Sequence, residues 1–412
     1  MAIALIVLVG LAALAAGAEL AARAWLRRSR CYVNPPGLRL LMHPDREQMP
    51  ELEPAVRFHV NDEGERGAEV PRVSRGETLY RILVAGGSQP EGYLLDQDTQ
   101  WPGALQIELS RPDRLRELCA TKVHVGNVAR SGVGSQGLDL MLERLLPAYP
   151  RLQAIIILVG ASDVLRWLEE GAPAAPPAVR VEDIFKCHPG QRFGWKPGRL
   201  AVAEIARRWR RHVLRPVEVH RQAGKWYREA TAMRARAKVV FKTAPDPTAM
   251  LDHFERHFRL LIQRAKAHAD RVLVVRQPWF AKETYLPEEL ARFWHGGVGQ
   301  AWRQEVTTYY SIEVTSSLMT LLDLRAARLA DELGVEQIDL MPVLEPSLWH
   351  YYDFFHATPA GSQVIAKRIA AAILYERTTE EQRATNRSAS STYGFTHLFD
   401  ETLLGGQRMT RQ

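Results

Sequence analysis

Cysteine is nearly absent: Cys31, Cys119 and Cys187 are the only three in 412 residues. They are too few and too scattered for a disulfide framework or a zinc site, although one Cys119–Cys187 bridge stays open. No CxxC or HExxH pattern occurs, and His188 and His295 have no acidic or histidine partner at ligand spacing. No metal is therefore assigned. Gly86-Gly87 lacks the further Gly and Lys of a phosphate-binding loop, so no cofactor is assigned either. No internal repeat is visible. What remains, 46% hydrophobic and 25% charged residues, excludes a disordered chain, a fibrous repeat and a polytopic membrane protein.

Ala2 to Ala18 is a run of 17 uncharged residues rich in Leu, Ile, Val and Ala. As a helix it spans about 25 Å, just short of a hydrocarbon core of about 30 Å. Extension to Leu26 adds Glu19 and Arg23, an i,i+4 pair that partly neutralises itself. Trp25 then sits where an interfacial aromatic belongs, before Arg27, Arg28 and Arg30. The segment reads as a single-pass anchor. A cleaved signal peptide is the alternative, with Ala16-Gly17-Ala18 as its site but no basic n-region; a buried core helix is the third.

Five apolar runs read as buried strands: Arg81–Ala85, Lys122–Asn127, Ala154–Val159, Arg271–Arg276 and Val335–Leu340. Helical patterns lie between and after them, at Trp101–Ser110, Gly137–Leu146, Leu251–Ala269, Ser316–Leu333 and Gly361–Tyr375. This alternation predicts a five-stranded parallel sheet covered on both faces, a doubly wound three-layer α/β domain. The expected organisation is an anchor and flank over 1–30, a Pro-containing linker over 31–56 and the α/β domain over 57–376. A polar tail over 377–412 completes it, expected to be poorly ordered. Insertions are expected at about 165–270 and 279–315, where the gaps between strands far exceed an ordinary crossover.

The chemistry-bearing residues fall at the strand ends. Strand one runs into Gly86-Gly87-Ser88, strand two into Asn127-Val128-Ala129-Arg130-Ser131-Gly132, and strand three into Gly160-Ala161-Ser162-Asp163. After strand five comes Asp353-Phe354-Phe355-His356. A serine hydroxyl needs a base within hydrogen-bond reach, and histidine suits that role near neutral pH. A carboxylate three residues earlier can hold the imidazole tautomer. Glycines leave amide N–H groups free to meet a developing oxyanion. Ser88, His356 and Asp353 thus make a candidate acyl-transfer triad.

These blocks resemble the GDSL/SGNH hydrolase superfamily over about residues 57–375, the two insertions excepted. The resemblance implies a flavodoxin-like fold and Ser88 as nucleophile, with His356 as base and Asp353 as its partner. It also implies an oxyanion hole from the Ser88 and Gly132 amides, with Ser162 at the third position. Asn61-Asp62-Glu63-Gly64, Asp98-x-x-Trp101-Pro102, Leu145-Leu146-Pro147-x-Tyr149-Pro150 and Tyr309-Tyr310-Ser311 are similar to a membrane-anchored bacterial esterase-like subgroup. Two positions depart from the family pattern. Gly87 replaces the aspartate of Gly-Asp-Ser, and Ser162 replaces the oxyanion-hole asparagine, a donor usually worth about 10²–10³ in rate. The implied activity is hydrolysis of O-acetyl or O-acyl esters on an envelope or exported polysaccharide. Two alternatives share the fold: an O-acyltransferase using the same triad, and a non-catalytic binding or scaffold protein of a glycan biosynthesis or export system.

The formal charge is +7, and Arg207 to Lys242 alone carries 12 Lys/Arg against Glu218 and Glu229. This basic, largely helical stretch, with Trp209, Trp226 and Tyr227 interleaved, reads as docking on anionic headgroups or an acidic glycan, or as a solvated helix face. No nucleic-acid motif accompanies it. In the second insertion Trp279, Phe280, Trp294 and Trp302 either stack on sugar rings or fill a small core. The basic flank after the anchor favours a cytoplasmic domain, whereas the implied substrate favours an extracytoplasmic one, which is the expectation adopted.

Overall fold

The computed structural model describes residues 2–28, 30–176, 178–185 and 199–375. Cys187, His188, residues 190–198 and the tail lie outside the described residues.

Among the described residues ten strands run in chain order: β1 (Arg39–Pro44), β2 (Val56–His59), β3 (Leu79–Gly86), β4 (Lys122–Asn127) and β5 (Leu152–Leu158). There follow β6 (Val217–Ala223), β7 (Val239–Phe241), β8 (Ala269–Val275), β9 (Thr308–Tyr310) and β10 (Glu336–Ile338). The central sheet has the order β10-β8-β5-β3-β4 and is parallel throughout. This is the doubly wound order in which the chain reverses direction beside β3. Its strands are continuous apolar runs because both faces are covered: Ile155 to Leu158 and Ile82 to Ala85 are all fully buried. The helices Ser135–Leu145, Thr248–His268 and Ile312–Glu332 pack side by side, while Trp101–Leu109 lies against β4. The expected strands are all present, shifted by one or two residues at their ends.

Two expectations need correction, and one open choice is resolved. Residues 31–56 are no linker: β1 pairs antiparallel with β2 and parallel with β6 in a second, three-stranded sheet. Its physical basis is alternation, with Leu40 and Met42 turned into a satellite core alongside Phe58, Leu94, Tyr227 and Trp294. The basic stretch is not one long helix but helix Ala201–Leu214, β6, helix Trp226–Ala235 and β7. Arg215, in the left-handed conformation at φ 44°, ends the first of these helices. Trp279, Phe280 and Trp294 are buried, so they fill core; Trp302 is partly exposed.

One helix among the described residues is long and apolar enough to cross a membrane, Ala2–Leu26. Its side chains from Ile3 to Leu14 are exposed, which removes the buried-helix reading for that stretch and suits an anchor or a signal sequence.

The lead-in loop is tied down by buried charge. Glu65 accepts from Arg81 Nη2 (3.0 Å) and Asn61 Nδ2 (3.0 Å), and lies 2.7 Å from His124 Nε2. Gly126 makes room for it, since a Cβ there would stand 2.5 Å from the carboxyl carbon. The neighbouring Arg66 is fully buried over the Phe58 ring and donates to the carbonyls of Glu91, Gly92 (2.8 Å) and Leu95 (2.6 Å). It thereby satisfies the end of the turn that carries Ser88.

Candidate active site

Ser88 opens the short helix Ser88–Glu91 directly after β3. Gly86 is required by close approach: a Cβ would meet the Leu158 carbonyl oxygen at 2.2 Å. The turn closes at Gly92, in the left-handed region at φ 56°, with its N–H on the Ser88 carbonyl. Asn127 Nδ2 donates to the Pro90 carbonyl at 2.6 Å, holding the same turn from β4.

His356 arrives 268 residues later, and its Nε2 lies 2.8 Å from Ser88 Oγ. Its Nδ1 lies 2.8 and 2.9 Å from the two Asp353 oxygens. Burial pushes the Asp353 carboxyl up, but the facing His356 and His295 rings and the His356 and Phe355 hydrogen bonds outweigh it. The group is held below the usual carboxylate range, hence ionised. An ionised carboxylate only accepts, so the ring proton sits on Nδ1 and Nε2 is left to accept from the serine hydroxyl.

Two further donors reach Asp353 Oδ2, and both come from the insertions: Tyr227 Oη at 3.0 Å and Trp294 Nε1 at 3.2 Å. The sequence alone puts Tyr227 in the basic stretch and Trp294 among aromatics that either stack on sugar rings or fill a small core, and gives neither a place at the triad. The insertions are locked together nearby, where Arg234 donates to the carbonyls of His295 and Tyr310 (3.1 Å). Burial is also the main reason the His295 imidazole is pushed down to about 3, so the ring is neutral.

His295, Asp353 and His356 offer ligand atoms within 4.8 Å of one another, a cluster that sequence spacing does not reveal. As a metal set it fits poorly, because both Asp353 oxygens and His356 Nδ1 are already paired with each other and with Tyr227 and Trp294. No step is routed through an ion.

The second and third blocks converge on Gly87. A Cβ built there would lie 3.4 Å from both Ser162 Oγ and the Val133 carbonyl oxygen. Ser162 sits in the first turn of helix Ala161–Glu169, entered through Gly160 at φ 146°. Asp163 beside it accepts from the Ser135 amide (2.9 Å) and hydroxyl (2.6 Å), and burial pushes its carboxyl up to about 6. Gly132 takes φ 75°, and its loop is pinned by Glu91, which accepts from the Ser131 amide (2.8 Å) and hydroxyl. Among the described residues, the amides of Ser88 and Gly132 and the Ser162 hydroxyl donate to no protein acceptor. All the candidate site residues thus lie on the loops at one edge of the sheet, beyond the carboxyl ends of its strands.

The class defined by this architecture is a doubly wound α/β protein with a Ser-His-Asp arrangement at its strand ends. No protein-family model matches the chain, and no curated protein matches it. Among solved structures it is similar to LAE5, an alpha/beta hydrolase enzyme from the metagenome of Lake Arreo (12% identity, TM-score 0.39, covering 74% of this chain and 99% of that one). It is also similar to Axe2, an acetylxylan esterase from Geobacillus stearothermophilus (12%, 0.39, 75% and 100%). A member of the lipolytic G-D-S-L family from Veillonella parvula is a third (10%, 0.38, 73% and 100%).

Proposed function

We propose that the protein is a membrane-anchored serine hydrolase that cleaves ester bonds through a covalent acyl-enzyme. The observation that carries this reading is the contact chain from Ser88 Oγ to His356 Nε2 (2.8 Å) and from His356 Nδ1 to Asp353 (2.8 Å), between residues far apart in sequence. Ser88 Oγ attacks the ester carbonyl while His356 Nε2 takes its proton, and Asp353 stabilises the imidazolium. The free amides of Ser88 and Gly132, with the Ser162 hydroxyl, receive the oxyanion. His356 returns the proton to the leaving alkoxide. Water, activated by the same imidazole, then releases the acid. The resemblance to an anchored bacterial subgroup supports O-acetyl or O-acyl groups of an envelope or exported polysaccharide as substrate, with the catalytic domain extracytoplasmic.

The test is p-nitrophenyl acetate hydrolysis by the full chain in detergent or nanodiscs, beside Ser88→Ala. Loss of at least about 10³-fold is expected, together with loss of labelling by a fluorophosphonate probe. Equal rates for the two proteins would sink the reading.

A further inference from the structure

Helix Ala201–Leu214 is amphipathic in an unusual sense. Its packed face holds Ala201, Glu204, Ile205 and Arg208, while Val202, Ala206, Trp209 and Val213 repeat at helical spacing on an adjoining, outward side. Trp209 is 63% exposed and Val213 52%. Leu200 and Leu214 at the two ends of the helix are exposed as well, and so are Val217 and Val219 on the edge strand β6. Arg210 borders it and Arg215 follows it, both exposed. An apolar stripe left in water costs about 25 cal/mol per Å², so something covers it.

The fold shows where this helix starts. Glu19, near the end of the N-terminal apolar helix, accepts from the amides of Ala201 (2.9 Å) and Val202 (3.1 Å), and so caps the first turn. Arg23 pairs with Glu19 (2.7 Å) and donates to the Arg199 carbonyl (3.1 Å). Ala22 and Leu26 pack with Ala201 and Ile205. Glu19 and Arg23 are therefore more than a self-neutralising pair: they latch the outward-apolar helix to the level at which the uncharged run ends.

We propose that helix Ala201–Leu214 is a membrane-interface helix, whose Val202–Trp209–Val213 stripe enters the headgroup region of an anionic bilayer. It holds the site-bearing domain against the membrane that the N-terminal helix crosses. The inference rests on the anchor reading, and continuity with that helix favours lipid over a soluble partner. Arginines at the stripe's margin supply the complement to anionic headgroups.

Hydroxyl-radical footprinting of the full chain, one copy per nanodisc of phosphatidylcholine with phosphatidylglycerol, tests it without any substitution. Trp349, also highly exposed at 71%, is the internal reference. Trp209 is expected to oxidise at least about fivefold more slowly than Trp349, and the protection is expected to weaken in discs without phosphatidylglycerol. Equal oxidation of Trp209 and Trp349 would overturn the proposal, and so would protection that appears only when a disc holds two copies, which points to self-association. Protection that does not depend on phosphatidylglycerol overturns the anionic part. Oxidation across Ile3–Leu14 in the same digest reports failure of the anchor reading instead, and ester hydrolysis is read out independently.

Discussion

Ser162 is the residue on which the rate of the proposed reaction turns. Its hydroxyl is nearly buried and faces the Gly87 position, with no acceptor among the described residues to compete for its proton. An asparagine amide at this place would reach farther, but a preoriented hydroxyl costs no reorganisation when charge develops. Ser162→Ala is expected to lower kcat about 10²-fold with KM little changed, since the hydroxyl acts on the transition state. Steady-state kinetics on p-nitrophenyl acetate check this; an unchanged kcat would leave the hole to the two backbone amides. The places of Ser88, Gly132 and Ser162 were legible in the sequence because each follows a long apolar strand. Asp353 and His356 stand well beyond the short β10 and were marked by their D-x-x-H spacing and the family resemblance. Tyr227, Trp294 and His295 were not. Their positions at Asp353 depend on how two insertions fold back, and nothing local in their neighbourhoods encodes that.

At the scale of elements, helix Trp226–Ala235 shows why the excess of charge was misleading. Arg228 pairs with Asp45 (2.8 Å) and Glu47 (2.8 Å), and Arg234 is spent on two carbonyls. Part of the basic stretch therefore joins the small sheet to the second insertion, while helix Ala201–Leu214, β6 and β7 present exposed side chains. The same helix delivers Tyr227, whose phenol burial and Asp353 keep protonated and donating. Tyr227→Phe removes one hydrogen bond to a buried anion, worth about 1.5–3 kcal/mol. A fall in kcat of about tenfold or more is expected, with KM near the parent value and the fold intact by circular dichroism. A rise in KM at constant kcat would instead make Tyr227 a wall of the substrate site. The periodicity of residues 39–44 was too short to outweigh the prolines around it, which is why β1 looked like linker.

For the whole molecule, the central sheet was readable because parallel strands are apolar on both faces, whereas the three-stranded sheet pairs β1 with β6 across some 180 residues. The buried polar network around Glu65, which ties the lead-in loop to β3 and β4, makes stability depend on pH in a definite direction. Burial raises the Glu65 carboxyl, but the hydrogen bond and charge of His124, then Arg81 and Asn61, bring it down to about 2 from an ordinary 4.5. Folding therefore favours the ionised form: the contribution is fully present above pH 4.5 and is lost as pH falls through about 2. Glu65→Gln leaves Arg81 and His124 facing a neutral amide, at a cost of about 3 kcal/mol near neutrality. The variant lacks the proton-linked loss, so its stability curve is expected to converge on the parent's as the pH approaches 2. Urea unfolding of both proteins across this range checks the sign. Parallel curves would mean that folding does not shift the Glu65 titration, so that Arg81 and His124 do not favour its ionised form.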